Sequence, residues 1–181
     1  MLKGKKILLG ICGGIAAYKS AYIIRLLIRE EAEVKVIATD AALDFITPLT
    51  LSTLSRNPLY HAVYDKATGV WNSHVELAEW ADMFVIAPAT ANTMAKMVAG
   101  TADNLLLTIY LSAVCPILIA PAMDLNMYKH TATQQNIEEL KKRGHHLMPV
   151  GDGELASGLC GEGRMAEPED IVRQLASVFS K

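Results

Sequence analysis

Short unbroken apolar runs alternate along this chain with stretches in which apolar residues recur every three or four positions. "KKILLGIC" (5–12) is such a run, closed by Gly13-Gly14, and it reads as a buried strand. "GIAAYKSAYIIRLLIREE" (14–31) has helical spacing, with Ala17, Ala21, Ile24, Leu27 and Ile28 able to share one face. "AEVKVIATD" (32–40) is a second strand, "HVELAEWA" (74–81) a short helix and "DMFVIAPAT" (82–90) a strand. "ANTMAKMVAGTADNLLLTIYLSAV" (91–114) gives a helix, a glycine break and another helix, and "CPILIAPAM" (115–123) the next strand. "TATQQNIEELKKRG" (131–144) is a helix with basic residues in its last turn and a terminal glycine. "HHLMPV" (145–150) reads as the last strand. "EPEDIVRQLASVFS" (167–180) is a closing helix with acidic residues at its start. No element is assigned to 41–73, and "LASGLCGEGRM" (155–165) reads as a glycine-rich loop.

Strands separated by helices predict one α/β domain over 1–181, a parallel sheet with helices on both faces. "VIAPAT" (85–90) and "LIAPAM" (118–123) echo one another, each placing Ala-Pro-Ala just past a strand's C-terminal end. That edge is where open α/β sheets bind ligands; equally, proline ends strands.

The candidate chemistry gathers there. Gly13-Gly14 sits between the first strand and first helix, where free N–H groups and a partial positive charge suit a phosphate. The stretch lacks both GxGxxG and GxxxxGK[ST], so a tight turn and a phosphate site both remain open. Thr39 and "TAN" (90–92) add hydroxyl and amide groups to the same edge. Asn72 or Ser73 can cap the helix that His74 begins. The helix dipole disfavours the imidazolium there, leaving either a neutral base or an ordinary packed histidine. His61, His130, His145 and His146 read as ordinary surface or core histidines.

Composition narrows the classes. The 181 residues are 51% hydrophobic with net charge −2. The basic residues are dispersed, so no stripe points to nucleic acid or an anionic membrane. The basic-then-apolar N-terminus is too short in its apolar part for a signal peptide, and no run is long enough to span a bilayer. Three cysteines with no CxxC argue against a disulfide framework or zinc, and no other metal-ligand spacing is legible. A soluble cytoplasmic protein is expected. Cys12 and Cys115, on apolar strands, read as core, as do the methionines of "PAMDLNMY" (121–128). Cys160, among Gly158, Gly161 and Gly163, has no packing reason to be a thiol.

"GGIAAYK" (13–19), "HVELAEWAD" (74–82), "PATANTMAKMVAGTADNLL" (88–106), "PAMDLNMY" (121–128) and "GLCGEGRMAEP" (158–168) occur in one order over nearly all of the chain. In these the chain resembles the flavin-dependent cysteine decarboxylases, and among them the phosphopantothenoylcysteine decarboxylases of coenzyme A biosynthesis. The resemblance implies a Rossmann-like (flavodoxin-like) fold and FMN. The FMN phosphate would lie at Gly14, Ile15 and Thr39, with Gly13 a further cofactor contact. Phe45, the turn Ala89, Thr90, Ala91 and Asn92, and Ala122 would hold the rest. It implies that 151–166 is a flexible flap over substrate, with Asp124, Asn126, Met127, Gly161, Arg164 and Met165 as substrate contacts. The implied reaction oxidises the thiol-bearing carbon of phosphopantothenoylcysteine to a thioaldehyde. Loss of CO₂ then leaves an enethiolate, which is reduced to 4′-phosphopantetheine. FMN takes and returns the hydride. His74 assists the proton chemistry and Cys160 protonates the enethiolate, under a flap that closes and opens.

By the same resemblance the chain is expected to form homotrimers or dodecamers of trimers, with FMN at subunit contacts. Its synthetase partner would be either fused or a separate chain. A chain ending here is expected to be a standalone decarboxylase or one domain of such a fusion. One departure stands out: the family motif PxMNxxMW reads here with Asp124 for asparagine and Tyr128 for tryptophan. The asparagine would bind the substrate carboxylate, which an ionised Asp124 would repel. The rival readings are a flavin prenyltransferase, a peptidyl-cysteine decarboxylase and a non-catalytic flavin-binding regulatory subunit.

Overall fold

The computed structural model describes residues 2–180. The first apolar run forms β1 (Lys6–Ile11). A 3-10 turn (Ile15–Lys19) follows and leads into α1 (Ser20–Arg29). Then come β2 (Glu33–Ala38), a second 3-10 turn (Asp40–Asp44), α2 (Pro48–Ser55) and β3 (Leu59–Tyr60). Next are α3 (His74–Trp80), β4 (Met83–Ala89), α4 (Ala91–Ala99), α5 (Leu105–Ser112) and β5 (Ile117–Pro121). The chain continues through α6 (Leu125–Lys129), α7 (Thr131–Lys142), β6 (His146–Leu147), β7 (Gly151–Glu154), β8 (Cys160–Arg164) and α8 (Pro168–Phe179).

Six strands make one sheet in the order β3-β2-β1-β4-β5-β6, every pair parallel. This is the order of the doubly wound Rossmann type, with a topological switch point between β1 and β4. Alternation along β1 shows why it forms the centre. Ile7, Leu9 and Ile11 point into one core, which is closed by Ile23, Ile24 and Leu27 of α1, Leu51 of α2, and Ile171 and Leu175 of α8. Leu8 points to the other face, into a core with Leu77 and Ala78 of α3, Met94 and Met97 of α4, Leu106 and Ile109 of α5, and Ile137 and Leu140 of α7. Both faces are apolar, so the strand is apolar throughout and can only be central. The expected single α/β sheet with helices on both sides is therefore observed.

The differences from the sequence reading are local. The first helix opens as a 3-10 turn, and of its expected face Ala17, Ile24 and Leu27 are buried while Ala21 and Ile28 are only partly so. The last sheet strand shrinks to two residues at the edge. The unassigned stretch 41–73 holds α2, whose start is signalled by Thr47 and Pro48: the threonine hydroxyl accepts from Thr50 N at 3.2 Å, and the proline occupies the first turn. Cys115 lies before β5 rather than within it and is half-buried.

The largest difference concerns 155–165. Half of it is strand: β8 pairs antiparallel with β7, Cys160 opposite Glu154 and Gly161 opposite Gly153, in a two-stranded hairpin outside the main sheet. Gly163 shows why a glycine-rich sequence is used for a strand here. Its φ is +147°, and a Cβ would lie 2.3 Å from the Met123 carbonyl oxygen. That close approach lets Met123 N donate to Gly163 O at 3.0 Å and docks the hairpin on the segment after β5.

Candidate active site

A cavity of about 950 Å³ opens at the carboxyl edge of the sheet, at the switch point. Its floor is the turn after β1 and the turn after β4; its far side is the segment after β5, and the β7–β8 hairpin roofs it. Of the residues singled out from sequence, Gly13, Gly14, Ile15, Thr39, Thr90, Ala91, Asn92 and Ala122 line it, together with Asp124, Met127, Arg164 and Met165.

The floor is built by close packing. A Cβ on Gly13 would meet Ala41 at 2.6 Å, so the β1 turn and the β2 turn touch through a glycine. Ala122 N donates to Ala89 O at 3.0 Å, joining the two Ala-Pro-Ala turns that echo each other in sequence. Thr90 caps α4, its hydroxyl accepting from Thr93 N at 3.2 Å. Above Gly14 there is open space, with nothing within 4 Å of a Cβ placed there. Thr39 Oγ1 is buried and has no hydrogen-bond partner among the described residues. An orphaned buried hydroxyl costs about 1–3 kcal/mol, which a polar ligand in the cavity would offset. Open space over a glycine turn beside an unpartnered hydroxyl is what a phosphate-bearing ligand needs.

The hairpin roof is tied at three points. Met123 and Gly163 share the main-chain bond already described. At the tip, Ser157 Oγ donates to Asp124 Oδ2, and Leu155 N donates to Leu159 O at 2.8 Å. At the far end the nearly buried Lys19 donates to Met165 O at 3.2 Å and pairs with Glu167 at 2.8 Å. Lys19, Met123 and Ser157 also line the cavity, and the sequence reading gave none of them a role. Lys19 ends the "GGIAAYK" stretch, and its burial beside the cavity is the signal a lone lysine in sequence does not carry.

Other expected residues do not line the cavity. Ala89 is fully buried in β4 and acts through its carbonyl. Phe45 is 47% exposed after the second 3-10 turn. Asn126 is exposed on α6, whereas Met127, read as core filler, is half-exposed and does line the cavity. Gly161 packs against Leu125, where a Cβ would approach to 2.7 Å.

His74 and Cys160 are also absent from the wall. Ser73 is the cap of α3, its hydroxyl accepting from Glu76 N at 3.2 Å, while Asn72 donates instead to Ala62 O. His74 therefore sits in the first turn, half-buried and edge-on to Trp71 at 5.9 Å. Its Nδ1 is buried and has no partner among the described residues. Cys160 begins β8 and is exposed. The other two thiols are set apart from it: burial pushes Cys12 up despite hydrogen bonds from Thr93 and Thr90, and burial pushes Cys115 up, helped by the Asp82 charge. No group of three or more metal-ligating side chains exists among the described residues, and no helix there is long and apolar enough to cross a membrane.

A doubly wound domain with a ligand cavity at its switch point and a hairpin roof belongs to the class of nucleotide-type cofactor binders. The chain belongs to the Flavoprotein family, whose model matches residues 1–180. It is 62% identical over 136 residues to a cysteine/cysteine sulfinic acid decarboxylase of an unknown prokaryotic organism, a match over 75% of this chain and 38% of that protein. It is 47% identical over 180 residues to the coenzyme A biosynthesis bifunctional protein CoaBC of Haemophilus influenzae, covering 99% of this chain and 45% of that one. The chain thus spans less than half the length of these curated relatives. Among solved structures it is similar to a cysteine-to-serine mutant of a PPC decarboxylase complexed with pantothenoylaminoethenethiol. That match has a TM-score of 0.88 and 33% identity, over 99% of this chain and 100% of the other. The FMN binding protein AtHal3 matches with a TM-score of 0.84 and 33% identity, over 98% of each chain.

Proposed function

We propose that this chain binds FMN and decarboxylates phosphopantothenoylcysteine to 4′-phosphopantetheine. The observation that carries the reading is the unpartnered Thr39 hydroxyl in a cavity opened over Gly14 at the switch point. The CoaBC proteins and the PPC decarboxylase structure support the substrate, and AtHal3 supports the cofactor.

Gly14, Ile15 and Thr39 would hold the phosphate, and Thr90, Ala91, Asn92 and Ala122 the remainder of FMN. Held there, FMN would supply a reversible hydride acceptor for the thiol-bearing carbon, so that the conversion would be redox-neutral overall. The protein's part is positional and acid–base. His74 assists proton removal before CO₂ loss, and Cys160 supplies a proton to the α-carbon afterwards. The 151–166 hairpin excludes water while docked through Met123 and Asp124, and its release frees product.

Neither His74 nor Cys160 lines the cavity of the single chain, and Ile15 and Tyr18, which do line it, are exposed apolar side chains. These observations favour a site completed by a further copy of the chain, in keeping with the expected homotrimer or dodecamer. A synthetase, fused or separate, would supply the substrate.

The test is an absorbance spectrum of the purified protein, then incubation with phosphopantothenoylcysteine. A yellow protein that releases CO₂ is expected. A colourless protein that cannot be reconstituted with FMN overturns the reading. A second reading, decarboxylation of free cysteine, is favoured by the 62% identity to the cysteine/cysteine sulfinic acid decarboxylase. Free cysteine differs at the reacting end by carrying an α-ammonium group where phosphopantothenoylcysteine has a neutral amide.

A further inference from the structure

Asp124 occupies the N-cap position of α6, yet its side chain makes no capping bond. An N-cap aspartate ordinarily accepts from the N–H groups of the first turn. Here the carboxylate turns from the helix to the hairpin and accepts from Ser157 Oγ while lining the cavity. No lysine, arginine or histidine of the described residues pairs with it. A half-buried carboxylate whose one partner is a hydroxyl can still receive a cation, and the cavity is the side from which one can come.

A complementary group stands close by. Met123 N bonds Gly163 O at 3.0 Å, and the next residue on each segment is Asp124 on one side and Arg164 on the other. Arg164 also lines the cavity, and its nearest carboxylate, Glu167, is 3.8 Å away, too far for a hydrogen bond. An anionic and a cationic side chain are thus anchored on neighbouring segments of one wall, the arrangement that matches a zwitterion.

We propose that Asp124 is a specificity-determining residue. It receives the α-ammonium of an unacylated aminothiol carboxylic acid while Arg164 faces the carboxylate, so that the site decarboxylates free cysteine in addition to N-acylated cysteine. The inference rests on the proposed decarboxylase reading. The net conversion breaks the Cα–carboxylate bond, releases CO₂ and places one proton from solvent on Cα, giving 2-aminoethanethiol with no net oxidation. The hydride taken by FMN in the first half is returned in the second. Asp124→Asn keeps an acceptor for Ser157 and removes only the charge.

The experiment follows CO₂ release by the FMN-loaded protein from L-cysteine, N-acetyl-L-cysteine and phosphopantothenoylcysteine. The wild type releases CO₂ from L-cysteine and prefers it to N-acetyl-L-cysteine. Asp124→Asn lowers the ratio of kcat/KM for L-cysteine over N-acetyl-L-cysteine by at least about 10-fold, the scale of a lost charged hydrogen bond. Two results overturn the proposal while leaving the decarboxylase reading intact: turnover of phosphopantothenoylcysteine with none of L-cysteine, or a ratio unchanged by Asp124→Asn. CO₂ release from none of the three overturns both.

Discussion

The two sides of the cavity are made in opposite ways. The floor, at the ends of β1 and β4, is part of the sheet. Its glycine turn touches Ala41, its two Ala-Pro-Ala turns share a main-chain bond, and β4 is buried along its whole length. The roof is a hairpin that belongs to no larger sheet and is held by Met123–Gly163, Ser157–Asp124 and the Lys19 contacts. The floor leaves one hydroxyl waiting for a partner, whereas the roof carries an exposed thiol. A rigid floor suits a group that stays bound through many turnovers. A roof resting on a few bonds suits one that must cover substrate and then release product. On the proposed function the floor would hold the cofactor and the roof would finish the reaction, and substitutions should separate the two.

The largest effect is expected at the residue that belongs to neither side. His74→Asn should keep FMN on the floor and cut CO₂ release by at least about 10²-fold, as for loss of a general base. Flavin absorbance and CO₂ evolution measured on one sample check it; near wild-type CO₂ release would remove His74 from the chemistry. Thr39→Ala tests the floor alone. It should weaken FMN binding by about 10-fold, the scale of one hydrogen bond to a charged group. It should leave the thermal midpoint of the apoprotein unchanged or raised, because the substitution deletes an unpartnered buried hydroxyl. Unchanged FMN affinity would move the phosphate elsewhere. The smallest effect concerns the thiols. Burial raises the pKa of Cys12 and of Cys115, so at neutral pH both hold less thiolate than an ordinary cysteine. Iodoacetamide followed by peptide mass spectrometry should label Cys160 alone, with Cys115 following as pH rises. Labelling of Cys12 as fast as that of Cys160 would contradict the contrast between exposed roof and buried floor.

Much of the floor was legible because its rules are local. An apolar run ended by glycine, or by Ala-Pro-Ala, marks a strand end, and two such ends in neighbouring strands mark an edge. The roof is expected as a flap only through the resemblance, and its strand pairing is not legible at all, since Gly158, Gly161 and Gly163 look like a loop until Met123 is known to lie where a Cβ would stand. α2 leaves little trace in the pattern although Thr47 and Pro48 announce it, because its apolar residues lack a clear stripe and only Leu51 is buried among them. Met127 reads as core filler from the pattern and as a substrate contact only through the resemblance, because a methionine in sequence carries no sign of which side it faces. Asp124 was visible as a departure. Its turn away from the α6 cap toward Ser157 depends on the hairpin's position, which no pattern within "PAMDLNMY" encodes.

The division between floor and roof is tested most directly by Cys160→Ser in a single turnover with phosphopantothenoylcysteine. Serine is nearly isosteric, so the hairpin still docks, but its hydroxyl is a far weaker acid than a thiol. If the floor carries oxidation and the roof completes the reaction, CO₂ is released and the flavin bleaches and stays bleached. The product is then an enethiol that mass spectrometry reads as two hydrogens lighter than 4′-phosphopantetheine. Fully reduced product at the wild-type rate would contradict the account by making Cys160 a passive part of the roof. A flavin that never bleaches would contradict it by placing the cysteine before CO₂ loss.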